Sequence, residues 1–362
     1  MRRRGMEEEK KSTETKSAPI RENLDTLLRV EPLGVEVGLG LVKLVEGGNN
    51  SPLLRRISGI RRQLATDLGY IFPPVRVTDN LSLRPREYVI SLKGAEIARY
   101  ELPQGHDLAI PVGKPAIQIG GRPTREPAFG MQAWWIPSDQ TERARRNNYT
   151  VVDAVSVLGT HLAELIRRHA HELFSRQDAK KLLDRVAAEN PKVVEELTPK
   201  LLPLSTVQRI LQNLLRERVS IRDGVSILEA LSDAASSTRN PILLTEYVRQ
   251  SIRRTAVKPY LNSYGDLAAL FVDPTLEQAV EGGVQHGEHN SHLTMAPQAI
   301  RDILNRIERK VGSPETPVVA VTSSGARHFL RQIAESSLAN VVFLSHNEIP
   351  AEVKVISQGV IQ

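Results

Sequence analysis

The chain has 362 residues, 40% of them hydrophobic, and its 48 basic and 42 acidic side chains leave a formal net charge of +6. That length exceeds one comfortable hydrophobic core, so about two to four domains are expected. Cys is absent, which excludes disulfides, thiolate metal sites and cysteine nucleophiles.

No apolar run approaches the ~18 residues of a membrane-spanning helix. The opening MRRRGMEEEKKSTETK is basic but lacks the apolar stretch of a secretory signal. A basic balance admits nucleic acid or an acidic membrane surface as partner. The charges are interspersed, however, and aromatic residues make up only 4% of the chain, too few for a base-stacking surface, so no nucleic-acid partner is expected.

Residues 1–31 read as a charged, flexible linker. Within it Leu24, Leu27 and Leu28 recur at helical spacing. They form either a short amphipathic segment that docks on another surface or a frayed helix leading into the first domain.

The pattern from Pro32 is mixed α/β, and a first domain is expected from residues 32–105 and 149–173. LGVEVGLGLVKLV reads as a strand. Ser51 caps a helix with Pro52 at its first position, and Leu53, Leu54, Ile57, Ile60, Leu64 and Leu68 form its buried stripe. A hairpin is expected around Gly94. Residues 103–137 hold six prolines and five glycines, a change in composition that marks a small β-rich inserted domain, residues 106–148. The chain then re-enters the first domain through a long amphipathic helix bearing Val157, Leu158, Leu162 and Leu165.

Residues 174–257 read as a helical bundle. Capping pairs are expected at Ser175–Asp178, Ser205–Gln208 and Ser220–Asp223, and Asn240–Pro241 opens a helix with Leu244, Tyr247, Val248 and Ile252 inward. Residues 258–362 alternate strand and helix, as in a small open α/β domain. The fold class is therefore a mixed α/β and α multidomain chain.

Candidate chemistry is thin. His286, Glu288, His289 and His292 resemble metal ligands, but their glycine-flanked spacing suits a mobile, solvated loop better than fixed coordination, and no metal or other cofactor is expected. Ser323–Ser324–Gly325 lies between strand and helix, where backbone amides could receive a phosphate. Neither GxGxxG nor GxxxxGK[ST] occurs, and the stretch reads as an ordinary turn. Thr160–His161 has no carboxylate partner placed by any motif, so no catalytic residue is assigned.

The apolar group Phe129, Trp134 and Trp135 has two readings. The three side chains could be the core of the inserted domain. Alternatively, Phe129 lines a hollow with Val152, Val157 and Thr160, and Glu126 or Thr160 supplies hydrogen bonds at its rim. The two tryptophans alternate as in a strand, so they face opposite sides.

Several stretches carry a resemblance: GIRRQLATDLGYIFPPVRVTDN, PREYVISLKG, TREPAFG, YTVVD…THLAELIRRHAHEL, RQDAKKLLD, LQNLLRERVSIRD, LLTEYVRQ and LSHNEIP. In that order they resemble the cytoplasmic part of the FHIPEP (FlhA–SctV) family of type III protein export gates, in its flagellar branch. The resemblance implies a non-enzymatic docking platform in four parts: an α/β domain, a small insertion, a helical domain and a C-terminal α/β domain. It also implies a membrane region preceding them and a cytoplasmic location beneath a bacterial inner membrane. The implied partners are export chaperones with bound substrates, the stalk of the ATPase complex, a switch-type gate partner, and further copies of the chain in a nonameric ring. Carried over by position, the chaperone site falls on Glu126, Phe129 and Thr160 with Val152 and Val157 as walls, and the linker contact on Leu24, Leu27 and Leu28.

Overall fold

A computed structural model describes residues 30–48, 51–113, 117, 119–312 and 317–362; Leu24, Leu27 and Leu28 lie outside them. The first strand, β1 (Leu33–Val37), buries alternate residues, Leu33, Val35 and Val37. The expected strand ends there, and Leu39–Leu44 form a 3₁₀ turn. Gly38 and Gly40 explain the break. Their N–H groups donate to Glu87 O and Pro85 O at 2.8 and 2.7 Å, and a Cβ on Gly38 would stand 2.0 Å from Arg84 O. Only glycine allows the backbone this close.

Helix α1 (Pro52–Leu68) starts where Ser51 Oγ accepts the Leu54 N–H and stops at Gly69, whose φ is +88°. It buries Leu53, Ile57, Ile60, Leu64 and Leu68 against the sheet, while Leu54 stays half-exposed. The strands β2 (Arg76–Asp79), β3 (Glu87–Leu92) and β4 (Ala95–Glu101) complete a sheet of order β2-β1-β3-β4. Lys93 and Gly94, both at positive φ, make the tight turn between β3 and β4.

The insertion contains β5 (His106–Pro111), β6 (Arg122–Arg125), β7 (Gln132–Pro137), α2 (Thr141–Arg146) and β8 (Tyr149–Val152), with antiparallel order β6-β7-β5-β8. Because β8 pairs with β5, the sheet continues to Val152, four residues beyond the boundary expected at Asn148. Its two faces are both covered. Leu108, Ala133 and Trp135 join the main core, whereas Ala109, Ile136, Ala144 and Tyr149 form a small core on the other side, flanked by Trp134.

Asp153 caps α3 (Ala154–Arg168), which packs on α1. The helical region follows as α4 (Ala170–Leu173), α5 (Arg176–Glu189), α6 (Pro191–Glu196), α7 (Leu204–Arg216), α8 (Gly224–Ala235), α9 (Pro241–Ser251) and α10 (Arg253–Val257). The Ser175–Asp178 capping box is complete. The other two expected boxes are not: α7 is entered from Pro203, and α8 is capped by Asp223, whose carboxylate accepts the Ser226 N–H at 3.1 Å. Pro203 already holds the extended φ/ψ of an N-cap, and Asp223 reaches the third residue of its helix, so neither serine is needed. Tyr247 is half-exposed rather than inward.

This region is not a separate body. One apolar core runs from Leu33 to Ala256 through both parts. Ile221 N–H donates to Leu68 O at 2.9 Å, and Gly69 lies so close to the next segment that a Cβ would stand 2.2 Å from Arg222 N.

The C-terminal region contains β9 (Leu267–Val272), α11 (Pro274–Gly282), β10 (Val284–His286), β11 (Ser291–Leu293), α12 (Pro297–Val311), β12 (Val318–Thr322), α13 (Ser324–Ala334), β13 (Val341–Ser345) and β14 (Val355–Ile361). Its parallel sheet has the order β13-β12-β9-β14. The expected mobile histidine loop is instead the β10–β11 hairpin. The Asn240 side chain, at the start of α9, donates to Gly287 O and Ser291 Oγ, both at 2.8 Å.

A buried ion cluster joins this region to the helices. Arg327 on α13 meets Glu217 after α7, Glu246 on α9 and Glu348 after β13, and Arg249 bridges Glu217 and Glu348. Arg331 adds a third cation beside Glu217 at 3.3 Å. Burial alone would raise the carboxyls of Glu217 and Glu246, two of the three that face Arg327. At Glu217 three arginines overcome it and hold the acid well below its ordinary value, whereas at Glu246 burial prevails. Arg327→Met strands the buried Glu246 carboxylate and takes one cation from Glu217 and Glu348, and is expected to cost about 3–5 kcal/mol in urea unfolding. A loss no larger than that of an exposed pair, about 1 kcal/mol or less, would contradict the cluster's role.

Candidate functional site

The β6–β7 connection is a small, fully braced loop. Glu126 N–H donates to Met131 O at 2.8 Å and Gly130 N–H donates to Glu126 O at 2.9 Å. The Glu126 carboxylate accepts the N–H groups of Ala128 and Phe129 at 2.8 and 2.7 Å, one on each oxygen. Arg125 closes the loop from outside by donating to Gly130 O at 2.9 Å. Glu126 is therefore 4% exposed while Phe129, three residues on, is 57% exposed. Of the two sequence readings, Phe129 as a core residue is excluded. Glu126 as a rim hydrogen-bonder is modified, because both of its oxygens already serve the loop.

The other expected site residues differ in exposure. Val152 is half-buried on β8, paired with Leu108. Val157 is 2% exposed and belongs to the main core, so it presents almost no surface. Thr160 is half-buried one turn further along α3. A residue missed by the sequence reading is Val112, 59% exposed just beyond β5, at the same end of the sheet as the Phe129 loop. Its signal was only an apolar residue between Pro111 and Gly113.

A run of four rings, His161, Tyr88, Tyr100 and Trp135, connects α3 with the insertion. Tyr88 and Tyr100 are cross-strand partners on β3 and β4, with centroids 6.3 Å apart. Tyr88 Oη and His161 Nδ1 are 2.8 Å apart, and His161 follows Thr160 on α3. From the other side, Tyr100 Oη lies 3.0 Å from Thr124 Oγ1 and donates to Arg125 O at 2.9 Å. Trp135 packs 6.4 Å from the Tyr100 ring. Beside this contact a cleft of about 200 Å³ separates β4 from β6, lined by Tyr100, Glu101, Pro103, Arg122, Pro123, Thr124 and Trp135.

Burial, then the neighbouring Tyr100 and Glu126, raises the Tyr88 phenol well above its ordinary pKa. Burial, then Arg168, lowers His161 to about 4. Tyr88 therefore keeps its proton and His161 is neutral, and the two share a hydrogen bond.

The other candidates are satisfied internally. Ser323 N–H and Thr322 Oγ1 both donate to Glu277, at 2.7 and 2.8 Å, and Ser323 Oγ donates to Glu281 at 2.5 Å. A phosphate approaching that turn would meet two carboxylates. His286 Nδ1 lies 2.8 Å from Ser291 Oγ. Among the described residues no three His, Cys, Asp or Glu side chains converge as a metal site, and no helix is long and apolar enough to cross a membrane.

Residues 1–354 match the FHIPEP family. The chain belongs to the FHIPEP family. Flagellar biosynthesis protein FlhA of Bacillus subtilis is 36% identical over 359 residues, covering 98% of this chain and 53% of that protein. The FHIPEP chain thus spans about half the length of the curated relatives it matches. Among solved structures, the Chlamydia pneumoniae CdsV and CdsO protein complex aligns with TM-score 0.81 at 24% identity, over 92% of this chain and 98% of that one. The cryo-EM structure of nonameric SctV-C from EPEC aligns with TM-score 0.75 at 20% identity, over 92% and 98%. The fold is that of these domains.

His161 and His328 are both lowered from 6.5 to about 4, each chiefly by burial. A depressed histidine stabilises the fold above its unfolded pKa, and that contribution is lost as pH falls toward the folded value. The urea midpoint is therefore expected to fall between pH 7 and 5.5. His161→Gln, which retains an acceptor for Tyr88, is expected to flatten part of that slope; an unchanged slope would mean that His161 protonates as readily folded as unfolded.

Proposed function

We propose that this chain is the docking platform of a flagellar type III export gate, receiving export chaperones with their bound substrates. The observation that supports this most is Phe129: a large apolar side chain, more than half exposed, on a loop whose backbone is braced by the adjacent Glu126. An exposed aromatic on a preorganised loop binds without an ordering cost, the usual character of an interface anchor. In this reading Val112, at the same end of the sheet, adds apolar surface, Val152 is a wall and Thr160 a polar edge. The family and the name of the Bacillus subtilis relative supply the flagellar context.

The assembly belongs to the same reading. The nonameric relative supports a ring of identical chains, which requires a head-to-tail interface that closes. The complex of CdsV with CdsO supports a second partner from the export apparatus, such as the stalk of the ATPase complex; a switch-type gate partner is a further candidate. The platform would hang in the cytoplasm from a membrane region in the other half of the protein. In this reading residues 1–31 are the linker, and Leu24, Leu27 and Leu28 contact a neighbouring copy.

Phe129→Ala and Thr160→Asp should each weaken binding of a chaperone–substrate complex by roughly 10-fold or more in calorimetry, with the thermal midpoint almost unmoved. Parallel loss of fold and binding would sink the docking assignment. Deleting residues 1–29 should reduce self-association in sedimentation or alter chaperone affinity; no change in either would remove the linker from the scheme.

A further inference from the structure

The insertion touches the rest of the molecule in two physically different ways. Leu108, Ala133 and Trp135 bury an apolar face in the main core. Such contact is strong but non-directional, and it permits sliding. Among the described residues, the side-chain hydrogen bonds that cross from the first sheet to β6 converge on one atom, Tyr100 Oη, which meets Thr124 Oγ1 and Arg125 O. Hydrogen bonds specify distance and angle. Arg125 immediately precedes Glu126, the residue that shapes the Phe129 loop. On the far side of the Tyr100 ring, Tyr88 is bonded to His161, the residue after Thr160. The two proposed walls of the docking hollow are therefore connected by a ring column, and the cleft of about 200 Å³ beside β6 leaves space into which an unlatched strand can move.

We propose that Tyr100 is a positioning residue that holds the Phe129 loop in register with α3, and so sets the spacing of the docking hollow. The inference rests on the docking reading for its function, but its geometry can be tested without a partner. Tyr100→Phe keeps the ring against Tyr88 and Trp135 and deletes only the hydroxyl. Amide hydrogen exchange in residues 122–131 of the full chain should then accelerate by about 10-fold, with the core helices unchanged. Affinity for a chaperone–substrate complex should fall by about 3- to 10-fold, because the loop must be ordered on binding. Tyr88→Phe serves as comparator: it destabilises the first domain through His161 without touching β6.

Unchanged exchange at 122–131 in Tyr100→Phe overturns the proposal, whatever the chaperone does. So does an equal loop response in Tyr88→Phe, which would mark general destabilisation. Faster exchange with unchanged affinity, while Phe129→Ala still weakens binding, rejects the positioning role and leaves the docking surface standing. If Phe129→Ala also binds normally, the docking reading fails instead, and the exchange result alone decides whether Tyr100 holds the loop.

Discussion

Arg327 has no exposed side-chain surface and faces carboxylates from three different elements. A buried guanidinium is tolerable only with such partners, so its placement dictates that α7, α9 and the turn after β13 converge. That convergence ties the C-terminal sheet to the helical region. The helical region in turn shares one apolar core with the first sheet. Three of the four expected parts therefore make one frame, and among the described residues the insertion packs on it through one apolar face and hydrogen-bonds β6 to it through one phenol.

This distribution of contacts fits a docking role. The loop that presents Phe129 spends its polar groups on itself: Glu126 neutralises its own backbone N–H groups, and Arg125 takes a carbonyl. An acidic residue next to an exposed aromatic looks, from spacing alone, like a rim that hydrogen-bonds a partner. Its physical work is to satisfy a turn that would otherwise leave donors unpaired. The aromatic side chain is then held out rather than folded in.

Much of the fold was legible because its signals are local. Ser51 with Pro52, Ser175 with Asp178, and Asn240 with Pro241 mark helix starts through chemistry within three residues. The alternation of Trp134 and Trp135 reports the two faces of β7 in the same way. Ser205 and Ser220 misled because a neighbouring Pro203 and Asp223 did the capping first. The break after β1 was illegible for a different reason: Gly38 is pressed against Arg84 O, a contact between residues far apart in sequence.

The resemblance of its quoted stretches pointed to the family, and residue order and periodicity gave the alternation of elements and the position of the Pro/Gly-rich insertion. Tertiary structure decided which site residues offer surface. Val157 and Phe129 are both apolar residues of the proposed hollow, yet one is sealed in the core and the other stands in solvent. Periodicity says which face a side chain occupies, but only the packing of the frame says what lies against that face. The Tyr88–His161 and Tyr100–Thr124 contacts belong to the same class, since they join strands, insertion and α3 across 73 and 24 residues.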